Sequence, residues 1–170
     1  MEVFTWGEGS PGCLGTLIYD TVSEPTKLES SDLHAYVFVK TACGVDNTAI
    51  VTKYGDVFTC GVGANGRLGH GNVENLTEFK KIEGLLSKTG GELVTSVECG
   101  SRHTLLLTDK GSLLAFGQGC NGQLGHYDPV LEDCEFPVYI PYFKNIKEKQ
   151  ARKEEKIRLR EERYKQFRQF

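Results

Sequence analysis

Residues 61–71, Gly61-Val62-Gly63-Ala64-Asn65-Gly66-Arg67-Leu68-Gly69-His70-Gly71, occur three times in this chain in related form. Phe116-Gly117-Gln118-Gly119-Cys120-Asn121-Gly122-Gln123-Leu124-Gly125-His126 repeats the run 56 residues later, and Trp6-Gly7-Glu8-Gly9-Ser10-Pro11-Gly12-Cys13-Leu14-Gly15 precedes it by 54. The first copy is divergent, lacking the Asn and the His. A second block, Cys43-Gly44-Val45-Asp46-Asn47-Thr48-Ala49-Ile50-Val51-Thr52, returns after 56 residues as Cys99-Gly100-Ser101-Arg102-His103-Thr104-Leu105-Leu106-Leu107-Thr108. Two independent blocks in one register define an internal repeat of about 55 residues, the size of one supersecondary unit.

Inside a unit the pattern is strand. Leu93 to Val97, Thr104 to Thr108 and Leu113 to Phe116 are short apolar stretches bounded by glycine and Asp/Asn turn signals. Lys53-Tyr54-Gly55-Asp56 and Asp109-Lys110-Gly111-Ser112 fall at equivalent places and read as hairpin turns. With 20 glycines in 170 residues, against an average near 7%, a helical repeat is disfavoured. Several short strands per unit of this length are the pattern of a propeller blade.

The repetition also decides what the glycines do. Gly61, Gly63 and Gly66 satisfy GxGxxG, but a dinucleotide loop requires a following helix in a βαβ unit and does not recur once per blade. We therefore read Gly61, Gly63, Asn65, Gly66, Leu68, Gly69 and His70, with Gly117, Gly119, Asn121, Gly122, Leu124, Gly125 and His126, as a structural loop. His103 and its counterpart Asn47 read as makers of turn hydrogen bonds. No GKS or GKT phosphate loop and no GxSxG elbow is present. The six cysteines include no CxxC pair and the four histidines are far apart, so no metal site is expected. The cysteines are expected to be free thiols acting as small hydrophobes. No catalytic residue and no cofactor is expected. The N-terminus has no signal-peptide pattern and no apolar run approaches a membrane span, which points to an intracellular soluble protein.

GxGxNGxLGHG at residues 61–71, paired with CGxxHTLLLTDKG at Cys99 to Gly111, resembles the regulator of chromosome condensation repeat. The resemblance covers residues 1 to about 140. It implies a seven-bladed β-propeller, whereas the repeats here amount to two to three blades. The expected fold is all-β: an open, partial β-propeller over residues 1–142, with units at about 1–36 (incomplete), 37–92 and 93–142. After Ile140 no further CGxxHT block follows. The founding member exchanges nucleotide on a small Ras-like GTPase through one propeller face and a projecting hairpin, a surface that this number of blades does not assemble. Other relatives serve as interaction platforms for chromatin, ubiquitin ligase substrates or ciliary transport. An arc leaves apolar faces where neighbouring blades belong, and such faces mark interfaces.

Charge divides the chain at the same boundary. Residues 1–142 carry 9 Lys/Arg against 18 Asp/Glu, and residues 143–170 carry 11 against 5, giving −9 and +6 and the net −3. All 20 glycines precede residue 143. The segment 143–170 is expected to form a charged helix, with Glu148–Arg152, Glu154–Arg158 and Glu161–Lys165 pairs at i,i+4. Phe143, Ile146, Gln150, Lys153, Ile157, Arg160, Tyr164 and Phe167 trace a weak coiled-coil seam. Lys147, Arg152, Lys153, Lys156, Ile157, Arg158, Arg160, Arg163, Tyr164 and Phe167 are the candidate partner-binding residues. Their expected partner is an acidic protein surface, such as tubulin or a neighbouring subunit. Nucleic acid is the alternative, disfavoured by interleaved glutamates and by a body of −9; the apolar stripe is too thin for a membrane.

These features predict a non-enzymatic scaffold subunit of a multiprotein assembly, its open propeller edges completed by another chain and its helix serving as anchor. A GTPase regulator working with a propeller-completing chain and a nucleic-acid-associated subunit are the alternatives. The expected location is the cytoplasm or cytoskeleton, cilium included, with the nucleus as the alternative.

Overall fold

Among the described residues ten strands and two α-helices follow the repeat. A computed structural model describes residues 2–29, 33–126, 132–144 and 146–167; in the last stretch the described side chains are those of Ile146 and residues 149–159. β1 (Phe4–Gly7) and β2 (Val22–Lys27) form an antiparallel pair. β3 (Phe38–Cys43), β4 (Asn47–Thr52), β5 (Val57–Gly61) and β6 (Leu76–Lys81) form a four-stranded meander. A one-turn helix α1 (Leu85–Lys88) leads to a second meander of β7 (Val94–Cys99), β8 (His103–Thr108), β9 (Leu113–Gly117) and β10 (Cys134–Tyr139). The long helix α2 (Ile146–Phe167) ends the described chain.

Each meander is one blade. The offset of 54 places β1 on β5, so the β1–β2 pair is the outer half of a blade whose two inner strands have no counterpart among the described residues. The architecture is therefore an all-β arc of two blades and an outer half-blade, followed by a helix. The turns after β4 and β8 close as the glycine spacing predicts, with Gly55 N–H donating to Thr52 O and Gly111 N–H to Thr108 O, both at 3.0 Å.

The sheets stack face to face, and the core lies between them. Ala49, Val51 and Val57 of the first full blade meet Val94, Val97, Leu106, Leu114 and Phe116 of the second, with Ile82 and Leu85 of the connecting segment sealed between. A separate cluster of Phe38, Ile50, Phe58, Cys60 and Phe79 joins the first full blade to the half-blade side through Leu28, Leu33, Val3 and Tyr36. Tyr36 and Phe58 meet edge to face, centroids 4.9 Å apart, an arrangement favoured by the ring quadrupoles. β4 is buried at five of its six positions, its sheet having neighbours on both sides. In its counterpart β8 burial alternates, because no sheet follows among the described residues.

Candidate functional site: two open sheet faces

The glycine-rich loops latch one blade to the next. Thr48 Oγ1 donates to Cys13 O at 2.7 Å, and Thr104 Oγ1 to Arg67 O at 2.8 Å. Each threonine thus grips the equivalent carbonyl in the loop of the preceding unit. Arg67, 4% exposed, donates from Nε to Ala64 O and from Nη1 to Ser101 O, both at 3.0 Å, and Nη1 lies 3.7 Å from Asp46 Oδ2. Asn65 Nδ2 reaches Asp133 Oδ2 at 2.7 Å, while Asp133 Oδ1 accepts from Gly119 N–H. The counterpart Asn75 Oδ1 accepts from Gly63 N–H at 3.0 Å. Leu68 and Leu124 are buried beneath their loops. Gly69 admits the Phe116 ring, and Gly125 lies against Ile140. Gly66 lies under Glu135 of the next blade, whereas Gly122 faces open space. Asn121 N–H donates to Gln123 Oε1 at 2.8 Å. Asn47 and His103 close their turns through backbone oxygens, which accept from Gly44 and Gly100 N–H.

The two loop histidines have different partners. His70 Nε2 lies 2.9 Å from Thr59 Oγ1, and His126 Nε2 lies 3.3 Å from Val138 O. Burial, with a smaller repulsion from Lys80, pushes the His70 imidazole from its ordinary 6.5 down to about 4. The unfolded chain then binds a proton that the folded chain resists. The His70 contribution is complete above about pH 6.5 and is lost as pH falls toward about 4. We expect His70→Gln to flatten the decline of stability over that window relative to wild type, as read from urea midpoints; an unchanged difference between the two would contradict it.

Among the described residues no group of His, Cys, Asp and Glu is placed to hold a metal ion, and all six cysteines are free. Of the predicted glycines, Gly66 and Gly69 lie against the next blade, while Gly61, Gly63, Gly117, Gly119 and Gly125 lie against residues of their own blade.

What remains unsatisfied is apolar surface at the two ends of the arc. Ala49, Val51 and Val57 are each 0% exposed, sealed by the second full blade. Their counterparts one repeat on, Leu105, Leu107 and Leu113, face outward, with Leu107 at 39%. Ile140 and Phe143 fall 58 residues after Ile82 and Leu85 and cover part of this face, packing with Leu105, Leu113 and Leu124. At the other end Phe4 and Trp6 are 46% and 59% exposed, while their counterparts Phe58 and Cys60 are buried.

The helix presents the side chains of 149–159 to solvent, including Arg152, Lys153, Lys156, Ile157 and Arg158. Arg158 Nη2 pairs with Glu155 Oε1 at 2.9 Å, three residues away. The side chains of Lys147, Arg160, Arg163, Tyr164 and Phe167 lie outside the described residues.

The regulator of chromosome condensation (RCC1) repeat profile matches residues 2–51, 54–107 and 110–151, and a second profile of the same repeat matches 94–123. The first two matches each straddle two sheets, 54–107 containing β5 and β6 of one blade and β7 and β8 of the next, whereas 110–151 contains β9 and β10 of one sheet and the start of α2. The chain is 37% identical over 141 residues to the human E3 ubiquitin-protein ligase HERC2, covering 82% of this chain and 3% of that protein. It is 35% identical over 144 residues to the Arabidopsis thaliana ultraviolet-B receptor UVR8, covering 85% and 31%. Among solved structures it resembles human WBSCR16, with TM-score 0.70, 29% identity and coverage of 82% and 35%. It also resembles Prp20p of Saccharomyces cerevisiae, with TM-score 0.69, 22% identity and coverage of 82% and 34%. The chain thus spans about a third or less of the length of each of these relatives.

Proposed function

Because this chain belongs to the regulator of chromosome condensation (RCC1) repeat family, we propose that it is a non-enzymatic protein-interaction module whose open sheet faces are covered by another polypeptide, with the basic helix as an added anchor. One observation carries the reading. Leu105, Leu107 and Leu113 occupy positions that the neighbouring blade buries completely one repeat earlier, and no described element covers them in the same way. Burial of apolar surface stabilises by roughly 25 cal/mol per Å2, so a cluster of leucines only partly covered favours whatever completes the cover. The crystal structure of Prp20p is described with its binding to Gsp1p and histones, which supports a protein-binding use of the fold. Fold alone does not select the partner. The helix, with its +6 segment, is proposed to dock on an acidic protein surface, and the cytoskeleton or cilium is the proposed setting.

The test is partner retention by the full chain against two variants. Leu105→Glu with Leu107→Glu is expected to cut retention of its complex by about a hundredfold, each charge on a buried apolar interface costing about 1.4 kcal/mol or more. Removal of residues 146–170 is expected to weaken retention while leaving the sheets intact, because Phe143 keeps its place on the second full blade. A wild-type chain that stays monomeric and unfolds cooperatively when dilute, with retention unaltered in both variants, would sink the reading. Used alone, the chain is expected to leave nucleotide release from a Ras-like GTPase unchanged; acceleration would favour the regulator instead.

A further inference from the structure

The half-blade is the better-specified of the two ends, because internal repetition states what belongs beside it. In the first full blade β5 pairs on one edge with β6 and on the other with β4; in the second, β9 pairs with β10 and β8. Among the described residues β1 pairs only with β2. Its other edge carries unpaired backbone groups, a template for strand addition.

Gly7 marks the place most sharply. It ends β1 at φ +107°, as Gly61 ends β5 at +107° and Gly117 ends β9 at +111°. A Cβ on Gly61 would strike Asp46 O and come within 2.8 Å of Asn47 Cα, and one on Gly117 would lie 2.6 Å from His103 Cα. Those atoms belong to the start of the neighbouring inner strand. A Cβ on Gly7 meets nothing within 4 Å. The same backbone turn is built at all three sites, and at Gly7 no strand crosses it among the described residues.

The neighbouring sheet shows the same gap. Val97 is buried and Cys99 partly so in the second full blade, where the inner strands β3 and β4 of the first cover them; their counterparts Thr41 and Cys43 are exposed. Between this surface and β1 lies a cavity of about 220 Å3, lined by Thr5, Trp6, Thr41, Cys43, Thr48 and Ile50 among others. Thr5 Oγ1, in that lining, is buried and has no hydrogen-bond partner among the described residues.

We propose that β1 receives in trans the inner hairpin of a blade of this same repeat type, offered by a partner chain. The second strand of that hairpin runs antiparallel to β1 in the register of β4 on β5, its Thr opposite Trp6 and its Asn or His opposite Gly7. The hairpin closes over Thr41 and Cys43 and makes the half-blade a whole one. This rests on the covered-face reading of the function and names what does the covering at this end.

The chain carries its own reporters, since Trp6 is its single tryptophan and Cys43 is exposed. The probe is a synthetic peptide of residues 93–112, the inner hairpin of the second full blade, with Cys99→Ser. We expect a saturable blue shift of Trp6 emission and an about tenfold slowing of Cys43 alkylation at peptide concentrations up to about 1 mM, with exposed Cys120 unaffected. Thr108 N–H donates to Ser112 O, just before β9, so Leu106, two residues earlier, turns its N–H to the same side, toward β9. A Leu106→Pro peptide should therefore lose both effects. No shift with the first peptide, or an equal shift with the proline peptide or a scrambled one, overturns the proposal. A cellular partner that binds through Leu105 and Leu107 yet leaves Cys43 reactive also overturns it, while leaving the covered-face reading intact.

Discussion

Gly61→Ala is expected to remove most of the stability of the arc, whereas Gly7→Ala, at the same backbone angle one repeat earlier, costs only the strain of that angle. Both residues end a strand at φ +107°. An L residue at positive φ costs roughly 1–2 kcal/mol. At Gly7 nothing lies within 4 Å of the new methyl, so that strain is the whole cost. At Gly61 the methyl runs into Asp46 O and approaches Asn47 Cα at 2.8 Å; both are backbone atoms, and neither yields without displacing β4 from β5. That strand pair carries Ala49, Val51 and Val57, the face on which the second full blade is seated. The loss should therefore exceed about 4 kcal/mol, a large part of the 5–15 kcal/mol of an ordinary domain. Urea unfolding followed by far-ultraviolet circular dichroism reads both variants, and equal losses would show that the crowding at Gly61 relaxes cheaply. Once the half-blade is filled by a complementing hairpin, Gly7→Ala should become as damaging to binding as Gly61→Ala is to folding.

The repeat makes the two full blades legible in the sequence itself. Two blocks sharing the 56-residue step place β4 on β8 and β5 on β9, and glycine marks the turns after β4 and β8. The half-blade was legible only in part. Phe4 to Trp6 reads as a strand, but β2, Val22–Lys27, contains Pro25 and mostly exposed polar residues, and it forms because an outer edge strand needs only one side of its ladder. Helix α1 has four residues, too few for a periodic signal, and is held by burial of Leu85. The loop residues are legible as structural, while their partners are not. Thr48 and Thr104 bond to loop carbonyls about 35 positions earlier in the chain, an acceptor that no local pattern names. The open faces were expected from the number of blades; which leucines they expose follows only from the alternation of β8.

Arg67 occupies a variable place in the loop, filled by Cys13 before it and Gln123 after it, and the repeat gives no hint of its weight. Its guanidinium is buried at the joint between the two full blades, where loss of solvent lowers its proton affinity despite the opposing attraction of Asp46. We expect Arg67→Met to cost about 2–3 kcal/mol. Methionine refills most of the volume, so the cavity cost is small, but Ala64 O and Ser101 O lose charged donors at 3.0 Å, and bonds of that kind contribute about 1.5–3 kcal/mol. Asp46→Asn should cost less than about 1 kcal/mol, because that carboxylate is partly in water and 3.7 Å from Nη1. The two substitutions thus separate the hydrogen bonds from the ion pair. Ser101 lies in the β7–β8 turn, so amide exchange in Cys99 to His103 should speed up in Arg67→Met before the interior of β8 is affected. A loss matched by Asp46→Asn would assign the effect to the ion pair, and a neutral Arg67→Met would mean that the joint is held without the guanidinium, by apolar packing and the Thr104 and Asn65 hydrogen bonds. The apolar faces would then hold a covering chain without any such clasp, and the specificity for a partner would have to come from elsewhere on its surface.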